Sequence, residues 1–393
     1  MGLMNEYINA KKSANELEQE LLALIKTYNE KRKTYLLVMV SALNKPIPDI
    51  ALSQEDFYMV ADMMNDLKQS KADIYIETPG GSGEAAEEIV EFLRKEFEYV
   101  SFVVSGEAKS AGTLMVLSGD EILMTKTGSL GPIDAQVRIG RTTISAYDYM
   151  EWVQEKLKEA EAKDRLNPFD ATMVAQISPG ELKGVNHALK FAEDLVGKWL
   201  KQYKFKHWKV TETQKKTVTD DMKDRRAKEI AQKLIDHSTW RSHGRSIKIK
   251  DLEKIGLRIT EVDSDGDLKN IIYRIQVVCR LLFATTNTYK IFATEKEKIF
   301  KSAVPVQEAP RIPKNLKRPE VAELEQKCQQ CGKVHKIYAK LADNAQIDKD
   351  FKSNGFAPFP KDNKLVCDCG FEMDLGGIRN EIEVKTGLKV LDS

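Results

Sequence analysis

Two periodicities divide this chain. Over the first 30 residues, apolar positions recur at alternating spacings of four and three: Leu3, Tyr7, Ala10, Ala14, Leu17, Leu21, Leu24 and Tyr28. Glu and Lys fill many of the gaps, and the spacing predicts a helix with one narrow apolar seam. That seam either packs on the chain's own domain or serves as a self-association arm. From about Lys33 the pattern changes. Tyr35–Ser41 is a continuous apolar run of strand length. Ser53-Gln54-Glu55-Asp56 caps a helix that continues through Met59, Met63 and Leu67. Ala72–Glu77 reads as a strand ending in Pro79-Gly80-Gly81. A helix with Ala85, Ile89, Val90 and Leu93 on one face follows. Tyr99–Val104 is a strand leading into a serine turn, Ala111–Leu117 starts a helix, and Glu121–Met124 is a short strand. Strand–helix units of this length predict an α/β fold, a mainly parallel sheet covered by helices. Ligands then sit at the carboxyl ends of the strands, where both turns lie.

Residues 147–236 read mainly helical, with loops at Leu166–Phe169 and Ser178–Gly180. From His237 the chain returns to a strand and a short helix, and a last apolar helix covers about 267–284. Pro305, Pro310, Pro313 and Pro319 among Lys and Arg predict an extended linker. The expected organisation is a heptad helix (1–32), an α/β domain (33–285), a Pro/Lys-rich linker (286–320) and a cysteine-bearing module (321–393). A net charge of +1 provides no global field toward nucleic acid or membrane. No apolar run reaches the length of a membrane span, and no signal peptide is apparent, so the expected location is the cytoplasm.

The stretch GEAKSAGT raises the main chemical question. A serine nucleophile needs exposure at a turn, a base, and donors for the oxyanion. Ser110 begins a helix, so the free N–H groups and positive end of that helix lie beside it. The N–H of Ala111 is a natural oxyanion donor. Gly80 and Gly81 can bring a second backbone N–H close, because glycine lacks the Cβ that would hold a substrate away. The plainer alternative is a helix-capping serine beside a glycine-rich turn.

ETPGGSG followed by GEAKSAGTLMVLSGDEILMTKTGSLGPIDAQ resembles the ClpP and SppA superfamily of serine peptidases, which shares the crotonase-type fold. SAGT, GSLGPIDAQ and HGRSIKIKDLEKIGL resemble most closely the branch called serine dehydrogenase proteinases. The resemblance covers roughly residues 33–285. It implies a ClpP/crotonase-like sheet, a protein or peptide substrate, a homo-oligomer and a Ser-Asp-His triad. By motif the nucleophile is Ser110 and the acid is Asp134 in GPIDAQ. The histidine is His243 in SHGRSI, with His237 as runner-up. A Ser-Lys dyad of the SppA kind is an alternative, with Lys126 or Lys156 as base. Lys109 departs from the family's small or apolar residue before the nucleophile; as a cation it either lowers the serine's pKa or is simply solvated. Two rivals from other classes are a crotonase-like acyl-CoA enzyme and a non-catalytic adaptor.

Four of the five cysteines form pairs, Cys328/Cys331 and Cys367/Cys369, each followed by glycine. Four thiolates on two such turns suit tetrahedral zinc in a closed, structural zinc ribbon. His335 is a possible substitute ligand. Such spacing favours metal over disulfides and fits a reducing compartment. The ribbon's mixed charges favour recruiting protein over nucleic acid. The stretch 198–210 interleaves Lys with Trp199, Tyr203, Phe205 and Trp208; buried aromatics with solvated lysines are expected there rather than stacking on nucleic acid.

Overall fold

The computed structural model describes residues 2–133, 135–139, 142–211, 213–240, 242, 244–303 and 319–391. The chain divides into two compact units, Met1–Val304 and Pro305–Ser393.

The first unit is built on a seven-stranded sheet. Its strands are β1 (Tyr35–Ser41), β2 (Lys71–Glu77), β3 (Tyr99–Val104), β4 (Glu121–Met124), β5 (Thr260–Glu261), β6 (Thr288–Ala293) and β7 (Lys298–Ser302), in spatial order β7-β6-β1-β2-β3-β4-β5. Strands β1 to β5 are parallel to one another, whereas β6 runs antiparallel to β1 and to β7. The expected parallel-rich α/β sheet is therefore present. Strand β1 shows why its run of apolar residues is continuous: Tyr35, Leu37 and Met39 enter one core, while Leu36, Val38 and Val40 enter the other. A strand buried on both faces needs apolar residues at both parities.

The first core lies under the helices Gln54–Met64, Gly83–Glu96, Ala111–Leu117, Pro179–Trp199 and Asp220–Ile235. The second lies under the N-terminal residues and the helix Gly266–Thr285. The predicted N-terminal helix is two helices, Leu3–Ala10 and Ala14–Arg32. Lys11, at φ 49°, ends the first, and Ser13 with Glu16 forms a capping box for the second. The seam residues Tyr7, Leu17, Leu21 and Tyr28 are buried with Leu268, Ile275 and Leu282 of the last helix. The seam is occupied within its own unit, which deprives the self-association reading of its apolar face. The Tyr28 hydroxyl also donates to the fully buried Asp73 at 2.6 Å, so 1–32 is not a separate element.

The linker expectation for 286–320 is corrected over its first part. Residues 288–302 form the β6–β7 hairpin, and every residue of β6 is buried. Lys290 lies in the middle of β6 and is buried. In the fold its Nζ bonds both carboxylate oxygens of Asp56, at 2.6 and 2.8 Å, and the Ala51 carbonyl at 2.7 Å. The four linker prolines, apart from Pro319, fall outside the described residues.

The second unit has a three-stranded sheet of Val321–Lys327, Val334–Lys340 and Ala357–Pro358, plus a hairpin of Lys364–Val366 with Glu372–Asp374. Two helices, Ala345–Ser353 and Gly376–Thr386, complete it.

Candidate active site

The two turns singled out in the sequence meet. Thr78, after β2, donates its N–H to Glu107 O at 2.8 Å, and Lys109 N–H donates to Thr78 O at 3.1 Å. This bridge holds the Pro79–Gly81 turn against the serine turn. The approach is close: a Cβ on Gly80 would lie 2.7 Å from Ser110 Cβ, and one on Gly81 would lie 2.3 Å from Leu52 O. Both glycines also have positive φ, +100° and +145°, so another residue would be both strained and overlapping. Leu52 grips the turn through its own N–H to Gly80 O, at 2.7 Å, and through Ser82 N–H to its carbonyl, at 2.9 Å.

Ser110 occupies the N-cap position of the helix Ala111–Leu117 but makes no capping bond. Its backbone sits at φ 48°, ψ −115°, a region that L-residues rarely adopt and that costs of order 1–3 kcal/mol. The capping explanation for this serine therefore fails. Its hydroxyl has no hydrogen bond among the described residues and faces a cleft of roughly 650 Å³. Gly81 and Ala111 line the same cleft. Their N–H groups have no acceptor among the described residues, whereas Gly80 N–H is taken by Thr78 Oγ1 at 3.2 Å. The expected oxyanion set of Gly80, Gly81 and Ala111 thus narrows to Gly81 and Ala111, with Gly80 supplying the close approach. Thr113, of SAGT, ties its helix to the loop of the candidate acid. Its Oγ1 donates to Ala108 O at 2.8 Å and accepts from Gly131 N–H at 3.0 Å.

Asp134 and His243 lie outside the described residues. The neighbours of Asp134 in the chain, Ile133 and Ala135, both line the cleft. His237 falls in the helical turn His237–Trp240, but its side chain is outside the described set. Lys126 is exposed, with its backbone N–H on Asp263. Lys156 pairs with Asp170 at 2.7 Å and with Glu159 at 3.2 Å. The hydrogen bond to Asp170, then that to Glu159, raises its pKa above the ordinary lysine value, the opposite of what a lysine base requires.

One wall of the cleft escaped the sequence reading. Gly184, His187, Ala188, Phe191 and Ala192 of the helix Pro179–Trp199 line it together with Ser110. Their signal in the sequence is small residues at helical spacing around one histidine and one phenylalanine. In the stretch 198–210, Trp199 and Phe205 are buried, and Tyr203 and Trp208 pack against the same core. Those aromatics are structural.

In the second unit, the Sγ atoms of Cys328, Cys331, Cys367 and Cys369 all lie within 4.8 Å of one another. Cys328 and Cys369 are 3.7 Å apart, and Cys331 and Cys367 are 3.5 Å apart. A tetrahedral ion with Zn–S bonds of about 2.3 Å needs sulfurs about 3.8 Å apart, so the donor set fits. His335 is not in this group.

Among the described residues, no helix is long and apolar enough to cross a membrane. An uncharacterized protein of Methanocaldococcus jannaschii is 27% identical over 188 residues, which are 48% of this chain and 51% of the relative. The match thus spans about half the length of that relative. A second uncharacterized protein of the same organism is 23% identical over 268 residues, 66% of this chain and 78% of the relative. Among solved structures, a mutant of the membrane-bound stomatin-specific protease 1510-N covers 56% of this chain and 79% of its own, with 14% identity and a TM-score of 0.32. A second mutant of that protease, in complex with a substrate peptide, covers 53% and 70%, with 15% identity and a TM-score of 0.32. The profile of ClpP-like SDH-type serine proteinases matches residues 15–275, the stretch that carries both turns, and the chain belongs to that family.

Proposed function

We propose that this chain is a serine peptidase that cleaves polypeptides, with Ser110 as its nucleophile. The observation that carries this reading is the strained Ser110, without a hydroxyl partner among the described residues, on one cleft with two backbone N–H groups that likewise have no acceptor among those residues. Ser110 Oγ attacks the scissile carbonyl carbon while its proton passes to a base. The Gly81 and Ala111 N–H groups receive the developing oxyanion. Collapse of the tetrahedral species expels the amine, which takes the proton, and water then releases the acyl group by the same route.

His243, oriented by Asp134, is the first choice of base, with His237 second. The lysine alternative requires Lys126, or Lys156 freed from Asp170 and Glu159. The test is labelling by a fluorophosphonate probe of the wild type and of Ser110→Ala, Asp134→Ala, His237→Ala, His243→Ala, Lys126→Ala and Lys156→Ala. Loss of labelling in Ser110→Ala and in one base variant is expected. A wild type that does not label would instead favour the adaptor. Binding of a CoA thioester that survives Ser110→Ala would favour the acyl-CoA enzyme.

We assign the four cysteines a structural Zn²⁺, which would tie the two knuckles of the second unit together. Metal analysis should find about one zinc per chain. Assembly into a homo-oligomer and residence in a reducing, cytoplasmic compartment complete the proposal. Light scattering reads the first, and its expected result is a mass above that of one chain.

A further inference from the structure

Of the two readings that its sequence position allowed for Lys109, the solvated one is excluded. It is only 6% exposed, so it is not solvated. Its Nζ donates to Leu130 O at 3.3 Å, Arg245 O at 3.2 Å and Ser246 Oγ at 3.0 Å. These three acceptors match the three protons of an ammonium group. All are neutral, and Lys109 has no ion pair among the described residues. Burial without a countercharge is costly, and it lowers the Lys109 pKa, with Glu107 opposing. A methionine would fill the same space without that cost. The ammonium is therefore there for its bonds.

Those bonds join three distant stretches of chain. Lys109 immediately precedes Ser110. Leu130 begins the loop that carries Ile133 into the cleft. Arg245 and Ser246 follow His243 in the chain. The returning segment also pairs with the loop through Leu130 N–H to Ile247 O, at 3.0 Å, and Ile247 N–H to Leu130 O, at 2.9 Å. Lys248 reaches back to the carbonyls of Thr127 and Gly128, at 2.9 and 3.1 Å. The loop is also held to the serine turn by the pairing of Glu107–Ala108 with Ser129–Leu130 and by Thr113, whereas among the described residues the bonds from the returning segment to that turn are those of Lys109.

We propose that Lys109 is a positioning residue of the serine site: its ammonium pins the 244–247 segment and the 130–133 loop to the turn that bears Ser110. The proposal rests on Ser110 being the nucleophile. Lys109 does not touch the reacting atoms; it sets where the chain before Asp134 and after His243 lies relative to them.

The test separates binding from chemistry. Fluorophosphonate inactivation of the full chain is measured over a range of probe concentrations for the wild type, Lys109→Met and Ser246→Ala. Lys109→Met keeps the stem and removes the donors. Its maximal inactivation rate is expected to fall about 100-fold, the cost of a misplacement near 1 Å, with the half-saturating concentration unchanged. A loss of fold alone would lower the active fraction and leave the rate of the remaining active protein unmoved. A folded Lys109→Met with a wild-type rate, or with the whole deficit in half-saturation, overturns the proposal. If Lys109→Met does not fold, Ser246→Ala decides it: a smaller fall in the same rate supports the clamp, and an unchanged rate overturns it. Hydrogen exchange of the 244–249 amides provides a readout that needs no activity. If the wild type does not label, faster exchange there in Lys109→Met still supports the clamp, and unchanged exchange overturns it, so failure of the serine reading and failure of the clamp are told apart.

Discussion

The serine cleft and the cysteine cluster are both built from pairs of glycine-containing turns, yet they finish in opposite states. In the cleft the turns leave groups unused: the Ser110 hydroxyl and the N–H groups of Gly81 and Ala111 have no partner among the described residues. In the cluster the turns close on themselves. Cys328 N–H donates to Lys333 O and Gly332 N–H to Cys328 O, while Cys367 N–H donates to Phe371 O and Gly370 N–H to Cys367 O. The four sulfurs converge, all within 4.8 Å of one another. An arrangement with spare donors and a strained residue is suited to a changing charge. One with four converging thiol donors, two of them buried, is suited to an ion that stays.

Four experiments press on this contrast. Ser110→Ala should have the largest effect, lowering peptide cleavage and probe labelling by at least about 10⁴-fold while the melting temperature stays near that of the wild type. Retained cleavage would put the two sites on the same, structural footing. Next, a chelator or Cys328→Ser should unfold the second unit, since a structural zinc contributes on the order of 10 kcal/mol to a small module. Limited proteolysis should then cut within 321–391 and spare the first unit, with Ser110 labelling unchanged. Resistance to proteolysis after complete metal removal would show that this unit's apolar core suffices.

Lys290→Met probes the support of the cleft. It leaves Asp56 buried and unpaired, at a cost of about 3–5 kcal/mol, read by denaturant unfolding. Because Ala51 and Asp56 flank Leu52, labelling of the folded fraction should also slow. The smallest effect should come from Glu77 at the end of β2. Burial raises its pKa above the usual carboxylate value, with Arg280, 2.9 Å away, pulling the other way. A carboxyl that holds its proton more tightly when folded contributes stability below its unfolded pKa and loses it as pH rises through the folded value. Unfolding free energy should therefore decline as pH rises from the ordinary carboxylate range, and Glu77→Gln should flatten that decline. An unchanged slope would mean that Arg280 offsets the burial.

The sequence was informative wherever structure is local. Tyr35–Ser41, Tyr99–Val104, Glu121–Met124 and the start of the helix at Ala111 stand where the residue pattern places them. The helix through Leu67 stops earlier, at Met64, and the single N-terminal helix is split at Lys11. Both are errors of element ends, which depend on a few competing caps. The missed β6–β7 hairpin has another cause: Lys290 looks solvated until Asp56, remote in sequence, is placed against it.

By itself, the sequence determined the strand–helix alternation, the two glycine-bearing turns at the carboxyl ends of strands, and the cysteine pairs, because each depends on the identity and spacing of near neighbours. Tertiary structure decided which apolar seam is used up, that Gly80 rather than Gly81 gives its N–H to an acceptor among the described residues, which helix walls the cleft, and that Lys109 turns inward. Those outcomes depend on which distant acceptor or apolar surface reaches a side chain first, and spacing along a chain carries no record of that.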